Sequence, residues 1–256
     1  MAFLQPITIA ACVVGCTFGA ALLGMFLRYC VPDHHRHDES KDVVKLVLGL
    51  IATLAAIVLG LLISSANGFY DTQRDEMQTL SVKVVQLDHA LSKYGPEADG
   101  ARAALRAAVV SAHDRIWPAD GTSGSLEPTQ AKNPPITAFE TQMQNLKPAT
   151  EEQRLSWGTA NQIAGEIAAM RMMISAQIGN SLSWPFLFIL TFWVSVLFLG
   201  FGLLAEWNGT VAATLLVGSI AVASATFLIL ELNQPYSGMM RLADTPLRLA
   251  IEQISR

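Results

Sequence analysis

The sequence predicts an all-helical membrane protein in which four transmembrane helices flank a helical insert between the second and third spans. Hydrophobic residues make up 52% of the 256 residues and charged residues 15%, against roughly 25% charged residues in soluble globular chains. The charged residues are also unevenly placed, because they are absent from residues 1–27, 46–70, 172–205 and 207–230. Uncharged apolar runs of this length are typical of membrane-spanning helices, and they exclude the short alternating strands of a transmembrane β-barrel.

These runs define four spans, each long enough to cross a bilayer core of roughly 30 Å. We place the spans at residues 7–29, 43–65, 184–206 and 210–232. The chain is therefore organised as a first transmembrane hairpin, a soluble helical insert, a second transmembrane hairpin and an amphipathic C-terminal tail. The boundaries of these four parts are 1–65, 66–183, 184–232 and 233–256.

The insert is predicted to be helical because its apolar residues recur at alternating intervals of three and four. The first pattern follows the second span directly and consists of Met77, Leu80, Val84, Leu87 and Leu91. Gly95 and Pro96 are typical of the end of a helix. A second helix is expected from about residue 97, a loop at 118–135, a short helix at 136–146, and a last helix that carries Ala160 to Ile174 into the third span.

Composition and motifs exclude several classes of function. The net charge is −4 and no basic stripe is present, so no nucleic acid is expected as a partner. The chain has no nucleophile elbow, no P-loop and no His-Glu-x-x-His motif. The second span has no ionisable group between Lys45 and Asp71, although membrane enzymes retain such groups for catalysis. We therefore do not expect an enzyme.

Three histidines in the first loop, His34, His35 and His37, are a weak candidate for a metal site. Imidazole is the commonest metal ligand in proteins, and acidic residues flank these positions. Their spacing matches no closed zinc site, and no paired cysteines accompany them. We therefore interpret the segment as a solvated polar loop and predict no bound metal.

Side chains with oxygen atoms that could bind calcium occur near the ends of the second and fourth spans. The residues concerned are Asp71 and Asp75 after the second span, and Glu231 and Asn233 at the end of the fourth. Calcium takes six to eight oxygens, but no loop of the EF-hand type is present. Turn formation at the membrane interface is the favoured interpretation. No cofactor is predicted, and calcium regulation at these four residues is kept as a hypothesis.

Small and hydroxyl-bearing residues form a stripe along one face of the second span. Its members, with two residues that extend it, are Gly49, Thr53, Ala56, Gly60, Ser64, Asn67 and Tyr70. Such a stripe has two explanations. Small residues let helix backbones approach closely in lipid, and they also suit the lining of an aqueous pathway within an oligomer. The sequence alone leaves both explanations open.

Four segments carry a resemblance to a known family. They are residues 42–66, Tyr94-Gly95-Pro96, residues 114–118 (Asp-Arg-Ile-Trp-Pro) and the string from Glu231 to Gly238. Together they resemble the bestrophin-like domain family of bacterial and plant membrane proteins, which is distantly similar to the bestrophin anion channels. The resemblance covers nearly the whole chain. It implies a homo-oligomer, expected to be a pentamer, with a cytosolic insert and a pore formed chiefly by the second span.

The function expected from these observations is a passive channel for inorganic ions, and the resemblance favours anions. The alternative is a non-conducting membrane scaffold or sensor whose helical insert binds a partner. In either case the chain contacts the lipid bilayer and further copies of itself. The resemblance implies the bacterial inner membrane, with the insert in the cytoplasm. The basic residues beside the spans are too evenly distributed to fix this orientation.

Overall fold

The computed structural model of the chain describes residues 6–30, 38–118, 134–178 and 184–255. Within these residues the secondary structure is helical and contains no strand. The helices are α1 (Pro6–Cys30), α2 (Asp38–Tyr94), α3 (Asp99–Ile116), α4 (Pro134–Asn145), α5 (Glu151–Ile178), α6 (Trp184–Leu204), α7 (Gly209–Leu232) and α8 (Thr245–Ile254). Four of them, α1, α2, α6 and α7, are long and apolar enough to cross a membrane. The predicted all-helical membrane fold with four spans is therefore confirmed.

The chain divides into two compact units. The first, which we call the membrane unit, comprises residues 1–69 and 182–233. The second, which we call the insert unit, comprises residues 70–181 and 234–256. The C-terminal tail thus groups with the insert. Helix α2 is 57 residues long and contributes to both units.

The membrane unit is held together by close packing of α1 against α6. A Cβ atom placed on Gly24 of α1 would lie 2.1 Å from the carbonyl oxygen of Leu199, and one on Gly202 of α6 would lie 2.1 Å from that of Ala21. Only glycine allows the two backbones to approach this closely. At the end of the same helix pair, the Arg28 guanidinium donates to the Leu204 carbonyl over 3.2 Å.

Helix α2 packs into the membrane unit along one side. Leu48 and Ala55 are buried there against Leu190, Val194 and Leu197 of α6. Gly200 of α6 brings the helices together, because a Cβ at this position would lie 2.5 Å from the Leu48 side chain. Gly200 and Gly202 of α6 therefore serve packing within the chain.

The core of the insert unit forms where the second half of α2 meets α3, α4 and α5. Its buried members include Val84, Leu87, Leu91, Ala101, Leu105, Phe139, Met143 and Ala160. Helix α2 ends at Tyr94, and Gly95 follows with a φ of 117°, a backbone conformation that favours glycine. Across the resulting turn, the Arg102 guanidinium donates two hydrogen bonds of 2.9 Å to the carboxylate of Asp88. These contacts fix α3 against α2.

Residues 234–254 of the C-terminal tail include α8, which docks on α3. Leu247, Ala250 and Ile254 of α8 are buried. A ten-residue helix is not stable alone in water, so this contact holds α8 in its helical form. The contact is reinforced by hydrogen bonds to backbone carbonyls, from Arg106 to Ile254, from Trp117 to Leu242 and from Arg241 to Ile116.

Candidate functional site

One exposed face of α2 carries the small residues that the sequence analysis selected. Gly49 and Asn67 are about five turns apart in an α-helix, and therefore lie on the same side. The residues that lie between them on this side are all exposed in the single chain. We call these six residues the small-residue face, and they are Gly49, Thr53, Ala56, Gly60, Ser64 and Asn67.

Among the residues that the structure describes, no other helix packs against the glycines of the small-residue face. A Cβ atom placed on Gly49 or Gly60 would meet no other atom within 4 Å. At Gly24 and Gly202, by contrast, an added Cβ would overlap the neighbouring backbone. Two kinds of glycine therefore occur in these spans. Gly24 and Gly202 allow helices of the described chain to pack closely, whereas Gly49 and Gly60 have no such role there.

A different exposed side of α2 carries large apolar residues. Leu50, Ile57 and Leu61 are 61%, 62% and 68% exposed. Since successive residues of a helix are rotated by about 100°, these side chains lie roughly a quarter turn from the small-residue face. Large aliphatic side chains are suited to contact with lipid, so the bilayer does not explain the small and hydroxyl-bearing side chains of the other face. The helix thus has a packed side, a large apolar side and a small-residue side.

Tyr70, which the sequence analysis placed on the small-residue face, lies in a different environment. It is half-buried and packs against an apolar cluster that contains Met77, Ile174, Tyr236 and Leu242. The reason is helical geometry. A residue three positions after Asn67 is displaced around the helix axis by about 60° from the small-residue face, towards the packed side. The step of four leads instead to Asp71, which is exposed, and continued intervals lead to Arg74 and Gln78, also exposed.

The four oxygen-bearing candidates fall into two pairs. Asp71 and Asp75 are exposed residues of the insert unit. Glu231 and Asn233 belong to the membrane unit, where Glu231 is 2% exposed. The Asn233 amide donates to the Ile229 carbonyl over 2.7 Å and so completes the end of α7. Asn233 is thus the C-terminal capping residue of α7, and the turn-forming interpretation stays a prediction.

No metal-binding group emerges from the part of the chain that the structure describes. Within it, no three His, Cys, Asp or Glu side chains are placed to hold a metal ion. His34, His35 and His37 lie outside the described residues. The calcium hypothesis therefore remains a prediction from sequence.

A polar cluster that the sequence did not predict joins α2, α5 and the tail, and its members Gln73 and Tyr236 are buried. The Tyr236 hydroxyl donates to the side-chain oxygen of Gln73 over 3.0 Å, and the Gln177 amide donates to Glu76 over 3.0 Å. The amide of Gln73 in turn contacts both Gln177 and Glu76. Burial raises the pKa of Tyr236, and the nearby Glu76 carboxylate raises it further. The hydroxyl therefore stays protonated and keeps its role as a donor.

One signal for this cluster was present in the sequence. Gln73 precedes Met77 by four residues and continues the apolar pattern of α2 towards the membrane end. A polar residue at a core position of a heptad requires a hydrogen-bonding partner. The pattern does not reveal which residue that partner is.

Comparison with known proteins identifies the family of the chain. The sequence model of the family described as "Bestrophin-like domain" matches residues 15–247. The chain belongs to the bestrophin-like family. The match includes all of α2 and α6–α7, so it contains the small-residue face, the insert and the start of α8. Neither the comparison with curated proteins nor that with solved structures finds a match. This bestrophin-like chain is an integral membrane protein of a family related to anion channels.

Proposed function

We propose that this bestrophin-like protein is a passive channel for inorganic anions, formed by several copies around a common axis. The small-residue face of α2 lines the pathway. The observation that carries the proposal is that α2 is the span least covered by its own chain. Of its most apolar stretch 11% is buried, against 28–39% for the other three spans.

The chemistry of this face supports a wettable path. It combines glycine and alanine with hydroxyl and amide groups, and it lacks the large aliphatic side chains of the neighbouring side. Such residues leave room for water and offer hydrogen-bonding atoms along its length. The span has no charged group from residue 46 to residue 70 that would hold an ion tightly. Weak binding of this kind is what passive conduction requires.

Ion flux in liposomes tests this proposal. Purified protein is reconstituted into vesicles loaded with potassium chloride, and chloride efflux is followed after dilution into an impermeant salt. With a potassium ionophore present to carry the balancing charge, we expect efflux that rises with the amount of protein and exceeds that of empty vesicles. Replacement of chloride by a large organic anion should reduce it. Intact oligomers that give no efflux of chloride or of potassium would favour the scaffold alternative.

Assembly is the second expectation, because one chain cannot enclose a pathway with a single face of one helix. The insert also exposes apolar side chains, with Val82, Leu155 and Met172 exposed by 57%, 67% and 63%. Contacts between subunits would cover these side chains. Mass measurement in detergent should give a homo-oligomer, and the resemblance to bestrophins predicts a pentamer. A homogeneous monomer at micromolar concentration contradicts both the assembly and the pathway.

The third expectation concerns orientation in the bacterial inner membrane, with the insert in the cytoplasm. Gln144 is an exposed residue of α4. In a variant whose three native cysteines are replaced by serine, Gln144→Cys should resist membrane-impermeant thiol reagents in intact cells. It should react after the membrane is permeabilised. Rapid labelling in intact cells would place the insert outside and invert the orientation.

A further inference from the structure

The apolar cluster around Tyr236 brings together one buried residue from α3, one from α5 and one from the tail. These residues are Ile116, Ile174 and Leu242. An arginine stands close to each of them in the sequence. Arg115 and Arg241 directly precede the first and the third, and Arg171 lies about one helical turn before the second. Three segments of the insert unit thus each place one arginine beside the same apolar cluster, and we call these three residues the arginine cluster.

Hydrogen bonds to backbone carbonyls hold two members of the arginine cluster in place. Arg241 donates to the Ile116 carbonyl over 2.7 Å, and Nε of Arg115 donates to the Ser111 carbonyl over 3.2 Å. A carbonyl group is neutral, so neither bond compensates the charge of its arginine. The Nε–H of Arg241 is also buried without an acceptor among the described residues, and a buried donor in this state costs free energy until an acceptor meets it.

The positive charges of Arg115 and Arg171 act on each other. Desolvation lowers the pKa of Arg171, and the charge of Arg115 lowers it further. Both guanidinium groups nevertheless stay charged near neutral pH. The fold therefore holds two like charges near each other, with Arg241 at the same end of α3. Like charges at short range are unfavourable unless an anion lies between them.

Carboxylates of the same unit offset part of this positive charge. Glu140 on α4 acts on Arg171 and raises its pKa. Asp114 and Asp244 lie against the ring nitrogens of a neighbouring histidine, at 3.1 and 3.5 Å. Neither Arg171 nor Arg241 forms an ion pair with a carboxylate of the described residues. The arginine cluster therefore keeps donors and charge for an anion from outside the chain.

We propose that the arginine cluster binds a phosphate group, either as the free ion or as the head group of a phospholipid. Guanidinium groups hold phosphate through paired N–H donors in a planar fork, and these charge-assisted bonds are stronger than those of neutral donors. Donors from three segments suit an oxyanion with several acceptor oxygens better than a halide. A bound phosphate joins α3, α5 and the tail, and so stabilises the docked tail. The inference does not depend on the channel proposal.

Calorimetric titration of the full-length protein in a neutral detergent tests this inference. Inorganic phosphate and a soluble short-chain phosphatidylglycerol are titrated separately, in a buffer that contains chloride so that a site for any small anion is already occupied. We expect one phosphate group to bind per chain. Binding of the short-chain lipid alone assigns the site to a head group, whereas binding of inorganic phosphate shows that the free ion suffices.

Matched variants make the test specific. Arg115→Gln and Arg171→Gln should each weaken binding by about tenfold, the scale of one charge-assisted hydrogen bond. Arg171→Lys keeps the charge without the planar fork and should have an intermediate affinity. Arg154→Gln removes an exposed arginine of the same helix, which pairs with Glu151, and should leave binding unchanged.

Thermal unfolding and oligomer mass verify that each variant is folded. Absence of binding of both probes to the folded wild-type protein would overturn the inference. An affinity that is the same in the wild-type protein, Arg115→Gln and Arg171→Gln would overturn it too, as would an equal loss in Arg154→Gln.

Discussion

Replacing Gly24 by alanine is expected to destabilise the protein strongly, whereas the same change at Gly60 should be neutral or slightly stabilising. At Gly24 the new Cβ atom would lie 2.1 Å from the backbone oxygen of Leu199 and 2.9 Å from the backbone nitrogen of Leu203. Backbone atoms cannot rotate away as a side chain does, so α1 and α6 must separate. Overpacking of this kind costs about 1–3 kcal/mol and at times more.

Gly60 provides the matched control, since it is also a glycine within a span. An added Cβ there meets nothing within 4 Å, and alanine is favoured over glycine in a helix by up to about 1 kcal/mol. Thermal unfolding of both variants in the same detergent measures the difference. Equal loss of stability in the two variants would contradict the distinction between packing glycines and the glycines of the small-residue face.

The second large effect is expected on ion flux, from the variant Ser64→Leu. Ser64 lies on the small-residue face, and leucine there adds an apolar constriction to the pathway. Such a constriction excludes water and can close a pore by dewetting. We expect flux in liposomes to fall by about tenfold or more, an effect that corresponds to about 1.4 kcal/mol in the conduction barrier.

Ser65→Leu is the control for this change because the two residues have the same chemistry and are neighbours in the chain. Both serines are exposed, and their side chains are rotated by about 100° from each other around the helix. Ser65→Leu should leave flux unchanged. Oligomer mass is measured on both variants. Unchanged flux through intact Ser64→Leu oligomers would reject the pathway, and dissociation of that variant alone would favour a packing seam between subunits.

Much of the fold could be predicted because the bilayer imposes simple rules. A segment that crosses hydrocarbon must form its backbone hydrogen bonds internally, as a helix does. Long uncharged apolar runs are typical of such helices, so the four runs predict four spans. The end of α2 at Tyr94 could also be predicted, because glycine readily adopts the positive φ that Gly95 has and Pro96 cannot continue the helix.

The partners of individual residues could not be predicted. Gly24 and Gly60 look alike in the sequence. An added Cβ atom would overlap a neighbouring backbone at Gly24, whereas at Gly60 it would meet no atom of the described residues within 4 Å. Tyr236 reaches Gln73 across 163 residues of chain, and no periodic pattern encodes that pairing. Contacts over such distances depend on how helices are arranged in space. Local propensity and hydrophobic spacing do not specify this arrangement.

The small-residue face could be predicted as far as helical periodicity holds. Intervals of three and four from Gly49 to Asn67 select residues that are all exposed. The same rule, applied with a step of three instead of four, selects Tyr70, which packs into an apolar cluster. Periodicity fixes the side of a helix. What covers that side depends on the neighbouring elements and, in an oligomer, on the neighbouring copies.

The most direct test of the central claim is chemical modification of the small-residue face during ion flux. In a variant whose Cys12, Cys16 and Cys30 are replaced by serine, Ser64→Cys and Ser65→Cys are reconstituted separately and treated with a charged, water-soluble thiol reagent. If the small-residue face lines an aqueous pathway, the reagent reacts with Ser64→Cys and changes its flux, while the flux of Ser65→Cys stays the same. Conducting oligomers in which Ser64→Cys remains unmodified, or in which both variants respond equally, would contradict it.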